Sequence, residues 1–210
     1  MKKTLSFILS AVILLSSVFC FSTAAFADSY ITSVSGTYNY TNAYSVLNIV
    51  NNERAKAGLN PLELDEELQD AAMYRAAETV VQFSHTRPNG EICFSVSDKM
   101  YGENIAYGYG SAQEVMDAWM DSEGHRDNIL TSDYRSIGIG WFVYEGVSYW
   151  TQAFGISEAE GNPILSGTYA VDEIIYINEQ FQPAQNIRIT ARGGDGERAR
   201  IDWDPVPDAY

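Results

Sequence analysis

"AWMDSEGHRDNIL", residues 118–130, holds one of only two histidines in the 210-residue chain, His125, and lies where the apolar period changes. Upstream of it, Ser111 followed three residues later by Glu114 is a capping-box signature. It opens a helix that carries Val115, Ala118, Trp119 and Ser122 along one side, with Gly124 as its expected end. Downstream the period falls to two: Ile137, Ile139, Trp141 and Val143 alternate with other residues, "YEG" turns the chain, and "VSYWTQAFG" returns. That is the pattern of a hairpin of half-buried strands. Helices early and strands late, with one interleaved helix, argue for an α+β layer architecture.

Further upstream, Val46, Leu47, Ile49 and Val50 fall at helical spacing, and the helix they predict runs from about Tyr44 to Ala57 and closes at Gly58. A second predicted helix places Leu68, Ala71, Ala72, Arg75, Ala76 and Thr79 on one face, with Arg75 and Glu78 one turn apart and able to pair. It ends before the turn formers Pro88, Asn89 and Gly90. His85, the other histidine, lies just beyond its last turn, where a helix C-terminus would favour a protonated imidazole.

The composition narrows the setting. Residues 1–27 read as an export signal: Lys2 and Lys3 precede an apolar run, and Ala25-Phe26-Ala27 forms a small-x-small cleavage site. The run is too short for a membrane span. Removing it leaves Cys93 as the sole cysteine, so no internal disulfide is expected, and a buried structural thiol is its simplest role. The formal charge of −15 becomes more negative when both early lysines leave, which disfavours nucleic acid and anionic lipid as partners. The expectation is a secreted, extracellular monomer. Residues 28–41 are polar and aperiodic and read as a leader, 42–157 as the main domain, and 158–183 as a linker with room for strands. Residues 184–210 alternate about a Gly-rich turn and end in "WDPVP", which resembles the first two strands of a fibronectin type III module.

Five stretches, "NNERAKAGLNPLELDEEL", "RAAETVVQFSHTRPNG", "YGENIAYG", "AWMDSEGHRDNIL" and "IGIGW" with "YWTQAFG", occur in this order. Together they closely resemble a bacterial member of the CAP superfamily, the group of cysteine-rich secretory proteins, antigen 5 and pathogenesis-related proteins. The resemblance implies an α-β-α sandwich with an antiparallel sheet between helix layers. It also implies a cleft lined by His85, Glu103 and His125, with Ser122 standing where many members have a glutamate.

Two neutral imidazoles and a carboxylate are the ligand set of open zinc sites, so His85, Glu103 and His125 are the expected metal ligands and zinc the expected ion. Two functions stay open. One is a binding protein whose cleft takes an extracellular ligand or cell-surface component. The other is a secreted hydrolase, peptidase or esterase, using zinc-bound water or Ser122 as nucleophile with His125 or His85 as base and Glu103 as the orienting acid. The CAP fold alone does not choose between them.

Overall fold

The structure, a computed structural model, describes residues 29–178. The expected export signal (1–27) and the fibronectin-like end (184–210) lie outside the described residues. A six-stranded sheet forms the middle layer, built from β1 (Ser29–Asn39), β2 (Glu63–Leu64), β3 (Gly102–Tyr107), β4 (Ser136–Tyr144), β5 (Val147–Gly155) and β6 (Thr168–Asn178). Its order is β3-β5-β4-β1-β6, with β2 pairing β4. Every pairing is antiparallel except that of β2 with β4. The helices are α1 (Tyr40–Lys56), α2 (Glu66–Val81), α3 (Ala112–Asp121) and α4 (Glu123–Ile129).

Local chemistry explains most of the boundaries. Asn39 caps α1 by accepting from the Asn42 N–H, and Gly58 ends it at φ +73°, where Leu59 N–H bonds back to the Arg54 carbonyl. The Asp65 carboxylate accepts from Leu68 N–H at 3.0 Å and starts α2. Ser111 caps α3 through Glu114 N–H. The expected hairpin is β4–β5, and its two-residue turn has positive φ at both Glu145 and Gly146, the type that matches strand twist.

Two glycines decide how the layers meet. On β4, a Cβ at Gly138 would come 1.9 Å from the Leu68 carbonyl oxygen, and one at Gly140 would come 2.1 Å from that of Ala72. The backbone of α2 therefore lies directly on this face of the sheet. Successive strand residues point to opposite faces, so Ile139 and its cross-strand partner Gln152 face the other way. There Gln152 donates to Met116 of α3, and α1 packs on both α3 and β4. Helices thus cover both faces, which is why β4 is buried from Ser136 through Phe142 rather than on alternate residues as its period suggested. Trp119 and Trp150 are core residues, and Trp150 stacks on Trp141 with ring centres 4.0 Å apart.

Two expectations need correction. The segment read as a leader is strand β1, in register with β6 from Ser29↔Asn178 to Asn39↔Thr168, and it contributes Val34 and Tyr38 to the core. Its residues show no strand period, and it is a strand because β6, more than a hundred residues away, pairs along its whole length while β4 pairs at Thr37 and Tyr38. Gly124 does not end the helix begun at Ser111. Ser122 is the break, in extended conformation at φ −94°, ψ 122°, and Gly124 sits inside the short helix α4 that follows.

Candidate functional site

The site lies at β3, the edge strand on the side away from β1 and β6. Glu103, on β3, is buried, and both its oxygens are used. Arg75 Nε donates to Oε1 at 2.8 Å, and Oε2 takes Arg75 Nη2 at 3.3 Å and His85 Nδ1 at 2.7 Å. Burial pushes the Glu103 carboxyl up, but the hydrogen bond from His85 and the charge of Arg75 outweigh it and hold the group below the usual carboxylate range.

Arg75 comes from the middle of α2 and has no exposed side-chain surface. Besides Glu103 it reaches Glu78 at 2.7 Å, the pair expected from their one-turn spacing, and the Ser84 carbonyl at 2.7 Å. Glu78 in turn accepts from Arg87 at 2.9 Å. The result is a buried chain of alternating charge, Arg87–Glu78–Arg75–Glu103, that ends at His85.

His85 sits in the loop after α2. An isolated bridge between Thr86 and Ile92 closes that loop, and Cys93 N–H bonds the His85 carbonyl at 2.8 Å. Its side chain is 58% exposed. With Nδ1 turned to Glu103, Nε2 is the nitrogen left for other partners. The carboxylate, rather than the helix terminus, accounts for the position of this ring.

His125 approaches from α4, which side-chain amides sew to β3. Asn104 Nδ2 donates to the His125 carbonyl at 3.0 Å, while Asn128 Nδ2 donates to Asn104 Oδ1 at 2.9 Å and to the Glu103 carbonyl at 3.2 Å. The His125 Nδ1 atom is buried and has no hydrogen-bond partner. Burial and then the charge His85 can carry push the His125 imidazole below its ordinary range. It is therefore neutral at neutral pH.

Of the expected set, the structure joins His85 to Glu103 directly, and His125 is held against the same strand through Asn104 and Asn128. Among the described residues, the donor atoms lying within 4.8 Å of one another belong to His85, Cys93 and Glu103. His125 is not in that group. Cys93 is buried, and burial, followed by the Glu103 charge, pushes its thiol up to about 12, so it stays protonated. Ser122 is half-buried at the α3–α4 break, its hydroxyl does not cap α4, and its backbone N–H, not its side chain, bonds the Trp119 carbonyl. Among the described residues no hydrogen bond links Ser122 to either imidazole. Arg126 braces the Met120 carbonyl at 2.8 Å. The sequence reading missed the contact from Arg75 to Glu103. Its one signal was an arginine on an otherwise alanine-rich buried helix face.

Helices on both faces of this sheet, with His85, Glu103 and His125 at one edge, define a CAP-type domain, and the chain belongs to the CAP family, described as the cysteine-rich secretory protein family, whose profile matches residues 47–154. It is 40% identical over 117 residues to the uncharacterized protein YkwD of Bacillus subtilis strain 168, covering 52% of this chain and 45% of YkwD. It is 31% identical over 122 residues to the uncharacterized membrane protein YlbC of the same strain, covering 54% of this chain and 34% of YlbC. Among solved structures it is similar to an extracellular protein containing an SCP domain from Bacillus anthracis strain Ames, at 25% identity and a TM-score of 0.51, over 57% of this chain and 41% of that one. The chain thus spans less than half the length of these relatives. No helix among the described residues is long and apolar enough to cross a membrane.

Proposed function

We propose that this chain is a secreted, monomeric protein of the bacterial cell surface that binds a ligand in the cleft between His85 and His125, with zinc as the metal those imidazoles suit. The observation that carries this reading is the Glu103–His85 contact. A carboxylate that takes one ring nitrogen of a histidine fixes the tautomer and offers the other nitrogen as a ligand, the arrangement found behind metal-bound imidazoles. The unpartnered, buried Nδ1 of His125 adds support, because a polar atom of that kind is rarely left unsatisfied without a role.

The donor set fits zinc in part. Neutral imidazoles are good zinc ligands, and His85 through Nε2 and His125 would hold the ion. Glu103, expected as a third ligand, suits the outer position instead, since Arg75 and His85 already take both its oxygens. Bound zinc would supply Lewis acidity and acidify a coordinated water. Calcium, which wants six to eight oxygens, is a poor match. The surface is acidic, so a neutral or cationic wall component is the better partner class.

Equilibrium dialysis of the purified chain against zinc tests the proposal. One equivalent is expected near neutrality, lost in His85→Ala and in His125→Ala, and weakened on acidification as protons compete with the metal for imidazole nitrogen. Equal binding by wild type and both variants, or none by wild type, would remove the cleft as a metal site. Turnover of casein, peptidoglycan or ester substrates that Ser122→Ala abolishes would favour the hydrolase instead.

A further inference from the structure

We infer that Arg75 is the positioning residue of the cleft: one guanidinium holds both the carboxylate that orients His85 and the backbone that carries it. The inference rests on the reading of His85 as a ligand-binding residue and deepens it. A side chain 58% exposed is not held by packing, so its orientation must come from polar contacts. The one polar contact of its ring among the described residues is Nδ1 to Glu103 Oε2 at 2.7 Å. Arg75 fixes the Glu103 rotamer through two donors, Nε to Oε1 and Nη2 to Oε2. The same Nη2 holds the Ser84 carbonyl, one residue before His85.

Cys93 also touches both sides, its N–H on the His85 carbonyl and its thiol beside Glu103, but among the described residues Arg75 is the charged group that does so. Lysine could replace the charge but not this arrangement, because a single ammonium cannot span Glu103, Glu78 and Ser84 as a planar five-donor fork does. Glu78 and Arg87 complete the device. Arg75 alone would neutralise Glu103 but leave its outer donor unsatisfied in the core. Glu78 accepts there, and Arg87 then balances Glu78, so two arginines face two buried carboxylates, with Arg87 reaching on to exposed Glu91 at 3.6 Å. The consequence for His85 is one tautomer, with the proton on Nδ1 and the lone pair on Nε2.

Because the chain has only two histidines, ring-nitrogen NMR on the ¹⁵N-labelled protein reads this directly, with His125→Gln assigning the signals. At about pH 8, where ordinary imidazoles are neutral, wild-type His85 is expected to be wholly the Nδ1–H form. Arg75→Lys is expected to lose that signature, with the Nε2–H form becoming populated and zinc affinity falling at least tenfold. If Arg75→Lys does not fold, the wild-type spectrum decides alone: a His85 ring protonated on Nε2 overturns the inference. So does an unchanged tautomer in a folded Arg75→Lys variant. A wild type that shows the Nδ1–H form and loses it in Arg75→Lys, yet never binds zinc, would uphold Arg75 and reject the metal reading.

Discussion

Replacing Gly140 by alanine should separate the two layers that build the site. A Cβ there would stand 2.1 Å from the Ala72 carbonyl oxygen, 2.4 Å from its carbon and 2.8 Å from Met73 N, all backbone atoms of α2. Ordinary contact begins near 3.4 Å, so helix and strand must part by roughly 1.3 Å, and no side chain can turn away to make room. Overpacking of a tight core costs about 1–3 kcal/mol, and a backbone-to-backbone clash belongs at the upper end, about 3 kcal/mol. For a domain of this size that is a fall of roughly 6–12 °C in melting temperature. Arg75 lies one turn beyond Ala72, so the same displacement should loosen its hold on Glu103 and reduce zinc binding. Gly124→Ala is the control: its Cβ meets nothing within 4 Å, and inside α4 it should stabilise by about 0.5–1 kcal/mol. Differential scanning calorimetry of the three proteins is the assay. A Gly140→Ala protein that melts with wild type would refute direct packing of α2 on β4.

Three further outcomes are expected. Arg54 is fully buried and donates to the carbonyls of Asn60, Ile129 and Thr131, each at 2.8 Å, so Arg54→Met should cost roughly 3–5 kcal/mol in urea unfolding by stranding those acceptors; a loss under 1 kcal/mol would contradict this. Burial pushes the Asp65 carboxyl up, but Leu68 N–H, Lys99 and Glu160 N–H more than offset it and hold the group below the usual range. The stability it contributes is therefore complete above the unfolded value near 3.9 and lost as pH falls through the lower folded value. Asp65→Asn should flatten that acid-side loss, and an unchanged pH profile would count against it. Deleting residues 29–39 should lower the melting temperature by roughly 10 °C, since Val34 and Tyr38 leave the core at about 1.5–3 kcal/mol each and β6 loses its partner; a true leader would leave it unchanged.

Much of this structure can be read from local sequence. Gly58, Asp65, Ser111 and the Glu145-Gly146 turn act on neighbours a few residues away, so their signals are complete within a short window. The features that escape such reading depend on distant partners. β1 is a strand because β6, far along the chain, pairs with its whole length. "GENIAY" lies between glycines like a loop, yet it is a strand because β5 pairs with it. Ser122 breaks a helix whose period alone runs on to Gly124. At the site, both histidines and Glu103 stood out by rarity and motif. Their division of labour did not, because a carboxylate that orients a ring and one that binds a metal look alike until Arg75 is seen beside it.

The most direct measurement is a crystal of the chain grown with zinc at neutral pH, with anomalous diffraction collected across the zinc absorption edge. The expected result is a peak between His85 Nε2 and His125, with Glu103 still on His85 Nδ1. A peak among His85, Cys93 and Glu103, or peaks only at surface carboxylates, would contradict the proposed cleft.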